Sequence, residues 1–155
     1  MIRKTAINTA WLLLMVALSG LVYIRLAPDD VALVHVAPPS GATPDSPVIG
    51  QGSALFVADF NADPEQMWQM LQQVIQSTPR TKYLAGSVKE GMITFVTRSV
   101  VFGFPDYTTI IVTQNEQGSR VTLFGRLRYG RSDFGVNAKR LRGWIKALET
   151  LDQAG

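Results

Sequence analysis

The stretch GRLRYGRSDFGVNAKRLRGW, residues 125–144, joins a predicted strand to a predicted helix through a glycine-rich turn. Successive side chains of a strand point to opposite faces, so Arg126 and Arg128 share one face. Two guanidinium groups about 6.5 Å apart on one face need acidic partners, water or a bound anion. Ser132 or Asp133, just after the turn, can cap the helix. The stretch therefore predicts how the last helix meets the sheet.

The start of this helix is the best candidate for a binding site in the chain. Free N–H groups at a helix N-terminus attract carboxylate or phosphate, and the neighbouring arginines add positive charge. The predicted anion-binding residues are Arg126, Arg128, Ser132, Asp133, Asn137 and Arg140. An internal network fits the same pattern, with the arginines neutralised by acids of the chain. Its predicted members are Asp106, Asp133, Gly130, Gly135 and Trp144.

The chain before this stretch predicts a two-layer α+β domain. A capping box at Asp63 and Gln66, with proline at the first helical position, opens a helix that Pro79 stops. A hydrophobic period of two predicts four antiparallel strands after it, and residues 54–60 suit a fifth. The strand ranges are 81–87, 92–98, 107–113 and 120–128, followed by a long C-terminal helix over 134–151. The fold class is thus α+β, with an antiparallel sheet of four to five strands and one helix before the hairpins.

A helix-grip fold shows the same order of elements. In that arrangement the curved sheet wraps the last helix and can leave an apolar cavity. The apolar segment at residues 100–106 would then lie over the sheet or line the mouth of the cavity. Periodicity does not separate a filled core from a hollow one.

Residues 5–24 form a run of twenty uncharged positions, long enough for a helix of about 30 Å that would cross a bilayer. Arg3 and Lys4 precede the run, so the positive-inside rule predicts a cytoplasmic N-terminus and an exported domain. A cleavable signal peptide is the alternative, because Ala17-Leu18-Ser19 resembles a cleavage site. The prediction is a single-pass protein of the bacterial inner membrane with its C-terminal domain in the periplasm.

Composition divides the chain into three segments. Residues 1–27 are the membrane anchor, residues 28–53 a proline- and glycine-rich extended tether, and residues 54–152 the α+β domain. The lone histidine, His35, falls in the tether, where a solvated or surface-packed role is expected.

Several kinds of chemistry have no support in the sequence. Cysteine is absent, and the single histidine lies far from any serine nucleophile. The acids are scattered and there is no phosphate loop or dinucleotide fingerprint. No catalytic residue, metal site or cofactor is therefore predicted, and an exported domain is not expected to meet nucleic acid.

The pattern Gly-x-Ser-Asp-x-Gly-x-Asn-x-x-Arg lies within the quoted stretch, at Gly130, Ser132, Asp133, Gly135, Asn137 and Arg140. Together with Arg98-Ser99 and the run from Gly103 to Asp106, it resembles the bacterial and plastid family called domain of unknown function 1499. The resemblance covers about residues 54–151. It implies no activity, cofactor or catalytic residue.

The leading hypothesis is a non-enzymatic, membrane-tethered domain outside the cytoplasm that binds a partner protein or a lipid-like, anionic small molecule. An alternative is an enzyme for a small anionic substrate, with Arg126, Arg128 and Arg140 positioning it and Asp133 as acid or base. A third is an accessory subunit of a membrane complex, whose anchor helix makes the contacts.

Overall fold

A computed structural model describes residues 2–154 of the chain. The helices are α1 (Ile2–Leu26), α2 (Val31–Val34), α3 (Pro64–Gln76) and α4 (Val136–Asp152). The strands are β1 (Val48–Ile49), β2 (Ser53–Phe60), β3 (Thr81–Ser87), β4 (Met92–Arg98), β5 (Pro105–Gln114) and β6 (Ser119–Leu127). The α+β prediction is confirmed.

The strands form one antiparallel sheet in the order β1-β2-β6-β5-β4-β3. It has six strands and not the predicted four to five. The additional strand is the two-residue β1, which pairs Val48 with Leu55 and Ile49 with Ala54. A two-residue strand is too short to show a period of two, so its pairing depends on the neighbouring β2.

Helices α3 and α4 cover one face of the sheet and bury its core. The capping box of α3 is present: Asp63 Oδ1 accepts a 2.9 Å hydrogen bond from the Gln66 amide, and Gln66 Oε1 accepts one from the Asp63 amide. Helix α4 lies across β2 and β6. Its close approach requires Gly125, because a Cβ there would lie 2.9 Å from Asn137 Oδ1. The inward residues of both helices and of the central strands form one continuous core.

Helix α4 begins two residues later than the pattern predicted. Phe134 and Gly135 both adopt left-handed backbone conformations, with φ of 52° and 78°, so the regular helix starts at Val136. Phe134 is 95% exposed, and no packing of its ring accounts for this conformation. Two hydrogen bonds from backbone amides to Asp133 hold the turn in place.

Residues 27–49, here called the strap, lie across the sheet face opposite the helices. Helix α2 belongs to the strap, and its end contacts the central strands: His35 Nδ1 lies 2.9 Å from Thr94 Oγ1. Residues 38–44 then pass over Leu55 and Ile111 before β1 joins the sheet edge. The segment is therefore more ordered than its proline and glycine content predicts, and His35 is half-buried.

Asp29 attaches the strap to the sheet. Its Oδ1 accepts hydrogen bonds from the Tyr107 hydroxyl (2.7 Å) and from Arg128 Nη1 (2.9 Å), and its Oδ2 lies 3.6 Å from Arg98 Nη2. The backbone oxygen of Pro28 accepts a further bond from Arg128. One carboxylate thus connects strands β4, β5 and β6 to the residues that directly follow α1.

Replacing Asp29 with alanine should lower the free energy of unfolding by about 1 to 3 kcal/mol, because it leaves two partly buried arginines and one buried tyrosine without their acceptor. Urea unfolding followed by tryptophan fluorescence measures the change. The matched control is Asp45→Ala, an exposed acid of the same strap, which should change stability by less than about 0.5 kcal/mol. Equal effects of the two substitutions would contradict the role of Asp29.

Candidate functional site

Five of the six predicted anion-binding residues separate into two groups on opposite faces of the sheet. Arg126 and Arg128 lie on the strap side, as the alternation of β6 predicts. Asp133, Asn137 and Arg140 lie on the helix side, and Ser132 is exposed in the turn, where its hydroxyl accepts a hydrogen bond from the Phe134 amide. The arrangement does not bring the three arginines to one point.

Arg126 is enclosed by the chain itself. Its guanidinium donates to Thr109 Oγ1 at 3.1 Å and to the backbone oxygen of Val34 in the strap. It also lies over the rings of Phe124 and Tyr107, with its Cζ 4.9 Å and 6.0 Å from their centroids. Burial lowers the pKa of Arg126 from its ordinary value. The strap therefore occupies the position that an external anion was predicted to take.

Arg128 is paired with Asp29, not with the predicted partners Asp106 or Asp133. That part of the predicted network is wrong, because the strap brings an acid from a distant part of the sequence to the strand end. Burial, with the hydrogen bond to Asp29 as a second cause, raises the pKa of Tyr107 above its ordinary value. Tyr107 therefore acts as a neutral hydrogen-bond donor.

The helix-side group is a polar cluster beneath the first turn of α4. Arg140 Nη1 lies 3.6 Å from Asp106 Oδ2, and Nη2 donates to Asn137 Oδ1 and, at 3.4 Å, to Thr108 Oγ1. Desolvation raises the pKa of Asp106, with Arg140 acting in the opposite direction. The same burial lowers the pKa of Arg140. The cluster fixes α4 against β5, and in it Asp106 is paired with Arg140 and not with Arg126 or Arg128.

Asp133 holds the turn that precedes α4. Its Oδ1 accepts from the Gly135 amide at 2.9 Å and its Oδ2 from the Asn137 amide at 2.8 Å. Both carboxylate oxygens are thus hydrogen-bonded to the backbone, so the role of Asp133 in this structure is to position the turn.

The remaining predicted network members have separate roles. Gly130 and Gly135 adopt positive φ of 100° and 78° in the turn. Trp144 lies in the core and donates its indole N–H to Thr78 Oγ1 at 2.9 Å, which ties α4 to the end of α3.

An apolar cleft lies between α3 and the outer strands β3 and β4, away from the predicted mouth at residues 100–106. Its volume is about 370 Å³, within the range of ligand pockets. Its walls are mostly aromatic and aliphatic, with a few polar side chains among them. The lining residues are Trp68, Leu71, Gln72, Ile75, Gln76, Thr81, Tyr83, Val88, Ile93 and Phe95.

The sequence left an apolar cavity open, with residues 100–106 at its mouth, but did not indicate a cleft beside α3. The apolar residues of α3, among them Trp68, recur at spacings of three and four, and a helix face that fills a core has the same period as one that lines a cavity. The sequence signal for the cleft is the pair Tyr83 and Val88, two large apolar residues near the hairpin between β3 and β4. Both side chains stay exposed in the structure. Within residues 2–154, no group of three or more acids and histidines could hold a metal ion.

Comparisons with known proteins agree with the pattern around α4. The sequence model described as protein of unknown function (DUF1499) matches residues 30–148. The chain belongs to the DUF1499 family. This match begins within the strap, some 24 residues before the predicted domain boundary at residue 54. Among curated proteins, none matches the chain.

Two solved structures share the fold of this DUF1499 member. Protein MLL2253 from Mesorhizobium loti is 12% identical, covers 66% of this chain and 98% of its own, and has a TM-score of 0.53. An uncharacterised protein from Rhizobium leguminosarum is 8% identical, with coverages of 66% and 95% and a TM-score of 0.52. At these identities the likeness concerns the fold alone.

The raised pKa of Asp106 gives a pH dependence that a substitution can isolate. A carboxyl that binds its proton more tightly in the fold contributes stability at low pH and loses it as pH rises through the folded pKa. As the pH falls from about 7 to about 3.5, the free energy of unfolding of the unsubstituted protein should therefore rise relative to that of Asp106→Asn. Unfolding in urea across this range measures the difference.

Asp59 provides a control of opposite sign. Hydrogen bonds from Arg120, at 2.7 Å, lower the pKa of Asp59. Relative to Asp59→Asn, the protein should lose stability as the pH falls over the same range. The same slope for both comparisons would contradict the assignment of Asp106.

Proposed function

We propose that this protein is a non-enzymatic, single-pass membrane-tethered domain that binds the apolar part of an amphipathic ligand in the cleft between α3 and strands β3 and β4. The observation that carries the proposal is the cleft itself. It is a partly open cavity with apolar walls, in a domain where Arg126, Arg128 and Arg140 are engaged by internal contacts.

The tether in this proposal is α1. Residues Arg3–Leu26 form a helix of 24 residues that is long and apolar enough to cross a membrane. The most apolar part of this helix is not buried against the rest of the described chain. A signal sequence has the same properties, so retention of α1 is part of the proposal. Arg3 and Lys4 precede the uncharged run at residues 5–24 of this helix, so the positive-inside rule favours a domain outside the cytoplasm. In a bacterium this is the periplasmic side of the inner membrane.

The lining of the cleft indicates the chemical class of the ligand. Trp68, Ile93 and Phe95 offer aromatic and aliphatic surface, which favours an alkyl chain or a ring system. Gln72, Gln76 and Thr81 offer uncharged hydrogen-bonding groups. These groups can hydrogen-bond the polar head of a ligand. An amphipathic molecule matches both parts of the lining.

The arginine geometry speaks against the enzyme alternative. Arg126 and Arg128 lie across the sheet from Arg140, and Asp133 uses both of its oxygens in the α4 turn. A small anion held by all three arginines would have to pass through the sheet.

The topology can be tested with reporter fusions after Gly155. A reporter active only in the periplasm should be active, a cytoplasm-dependent reporter should be inactive, and intact mass should show the uncleaved chain. The reversed reporter pattern would contradict the orientation. A mass lacking the first residues would show a cleaved signal sequence and contradict the tether.

Ligand binding can be tested with dansyl-undecanoate, a fluorescent fatty acid. The purified full-length protein in mild detergent should bind it saturably, and Val88→Trp should weaken binding at least about ten-fold because the larger ring fills the cleft mouth. Val48→Trp, a substitution of an exposed valine on β1, is the matched control and should leave binding unchanged. No saturable binding, or equal binding by both variants, would contradict the proposal.

A further inference from the structure

A second groove, separate from the apolar cleft, lies at the end of the sheet next to α1. It is here called the basic groove and has a volume of about 350 Å³. Four of its lining side chains are cationic and come from α1, from the turn before β3, from β3 and from β4. The lining residues are Arg25, Arg80, Lys82, Val96, Arg98, Ser99, Val100 and Gly103.

The charge of the basic groove is largely uncompensated. Among the described residues, Asp29 is the acid paired with one of its cations, at 3.6 Å from Arg98, and it also serves Arg128. Arg80 uses its Nε to donate to the backbone oxygen of Arg98. The side-chain ammonium group of Lys82 makes neither a hydrogen bond nor an ion pair within residues 2–154. The groove therefore presents free ammonium and guanidinium donors to solvent.

The last turn of α1 forms part of the basic groove. Arg25 donates from Nε to the backbone oxygen of Phe102 and from Nη2 to that of Val101. Gly103, with φ of 71°, permits this contact, because a Cβ there would lie 2.9 Å from Arg25 Nε. The loop that joins β4 to β5 is thereby held beside the end of α1.

The tip of this loop is apolar and unpacked. Val100 and Val101 are 72% and 71% exposed, and Phe102 is 48% exposed while it stacks on Phe104 at 5.5 Å between ring centroids. Three adjacent large apolar side chains in water are unfavourable unless a partner or a membrane covers them. Their position beside Arg25 places them at the membrane surface if α1 crosses a bilayer.

We propose that the basic groove binds the phosphate of an anionic phospholipid in the bilayer that α1 crosses, with residues 100–102 inserted at the interface. The inference rests on the tether of the proposed function. It combines the two signals of interfacial binding, an apolar insertion and cations that meet an anionic surface. A lipid supplies both, because its phosphate lies at the depth of the groove and its acyl chains at the depth of the loop tip.

Lipid binding to the groove is measured by native mass spectrometry of the full-length protein in mild detergent, titrated with phosphatidylglycerol or phosphatidylcholine. The double variant Arg80→Gln, Lys82→Gln should lose roughly twenty-fold in affinity for phosphatidylglycerol and little for phosphatidylcholine. The matched control, Lys139→Gln with Lys146→Gln, removes two exposed cations of α4 and should bind as the unsubstituted protein does. Inorganic phosphate should not displace the lipid.

Insertion of the loop is measured with a single fluorophore, because the chain has no cysteine. Val101→Cys labelled with an NBD dye should show a blue-shifted emission in vesicles of equal parts phosphatidylglycerol and phosphatidylcholine. The shift should be smaller in phosphatidylcholine alone, and adding the Arg80→Gln and Lys82→Gln substitutions should remove the difference. A label on Asp45→Cys in the strap should report water in both kinds of vesicle.

Three results would overturn the basic-groove proposal: phosphatidylglycerol affinity equal in the two double variants, displacement of the lipid by inorganic phosphate, or a Val101 label that reports water in both vesicles. The intact mass from the same spectra separates this failure from failure of the tether. A chain that lacks α1 contradicts the tether, whereas a complete chain with any of the three results contradicts the groove alone.

Discussion

The carboxylate of Asp29 is the contact on which the arrangement of this molecule depends. It lies three residues after α1 and accepts hydrogen bonds from Tyr107 and Arg128, with Arg98 nearby. Without it, the partly buried guanidinium groups of Arg98 and Arg128 would have no opposite charge beside them, which destabilises the fold. With it, the strap covers Arg126, and the backbone oxygen of Val34 accepts a hydrogen bond from that guanidinium group.

The two faces of the sheet are stabilised by different physical means. The helix face depends on apolar burial, with Leu71, Leu123 and Leu141 fully buried between α3, α4 and the strands. The strap face depends on a chain of polar contacts that runs from His35 through Thr94 and Thr109 to Arg126. The Gly-x-Ser-Asp-x-Gly-x-Asn-x-x-Arg pattern belongs to the helix face and its turn, where it positions α4. This gives the pattern a structural explanation that requires no bound ligand.

Local features of the sequence predicted the secondary structure and the fold class. They did not predict contacts between residues that are far apart in the sequence. The capping box at Asp63 and the alternation that put Arg126 and Arg128 together depend on neighbours a few residues apart, so both are visible in the sequence. The partner of Arg128 is 99 residues away along the chain, and nothing local marks Asp29 as that partner. The start of α4 was placed too early because a phenylalanine in the left-handed conformation has no compositional signal. The cleft escaped prediction because a helix face lining a cavity has the same periodicity as one filling a core.

The order of the strap has a consequence for how far the domain can move. A flexible linker of the length of residues 28–53 would let a domain wander with an end-to-end distance of about 27 Å, and in any orientation. Here Asp29, His35 and β1 attach that segment to the sheet, so it does not act as a flexible linker between α1 and the domain. For a chain whose α1 crosses a bilayer, the domain then travels with its anchor at a fixed height and tilt. Under the proposed function, the search for a ligand that lies in the same membrane would then be two-dimensional.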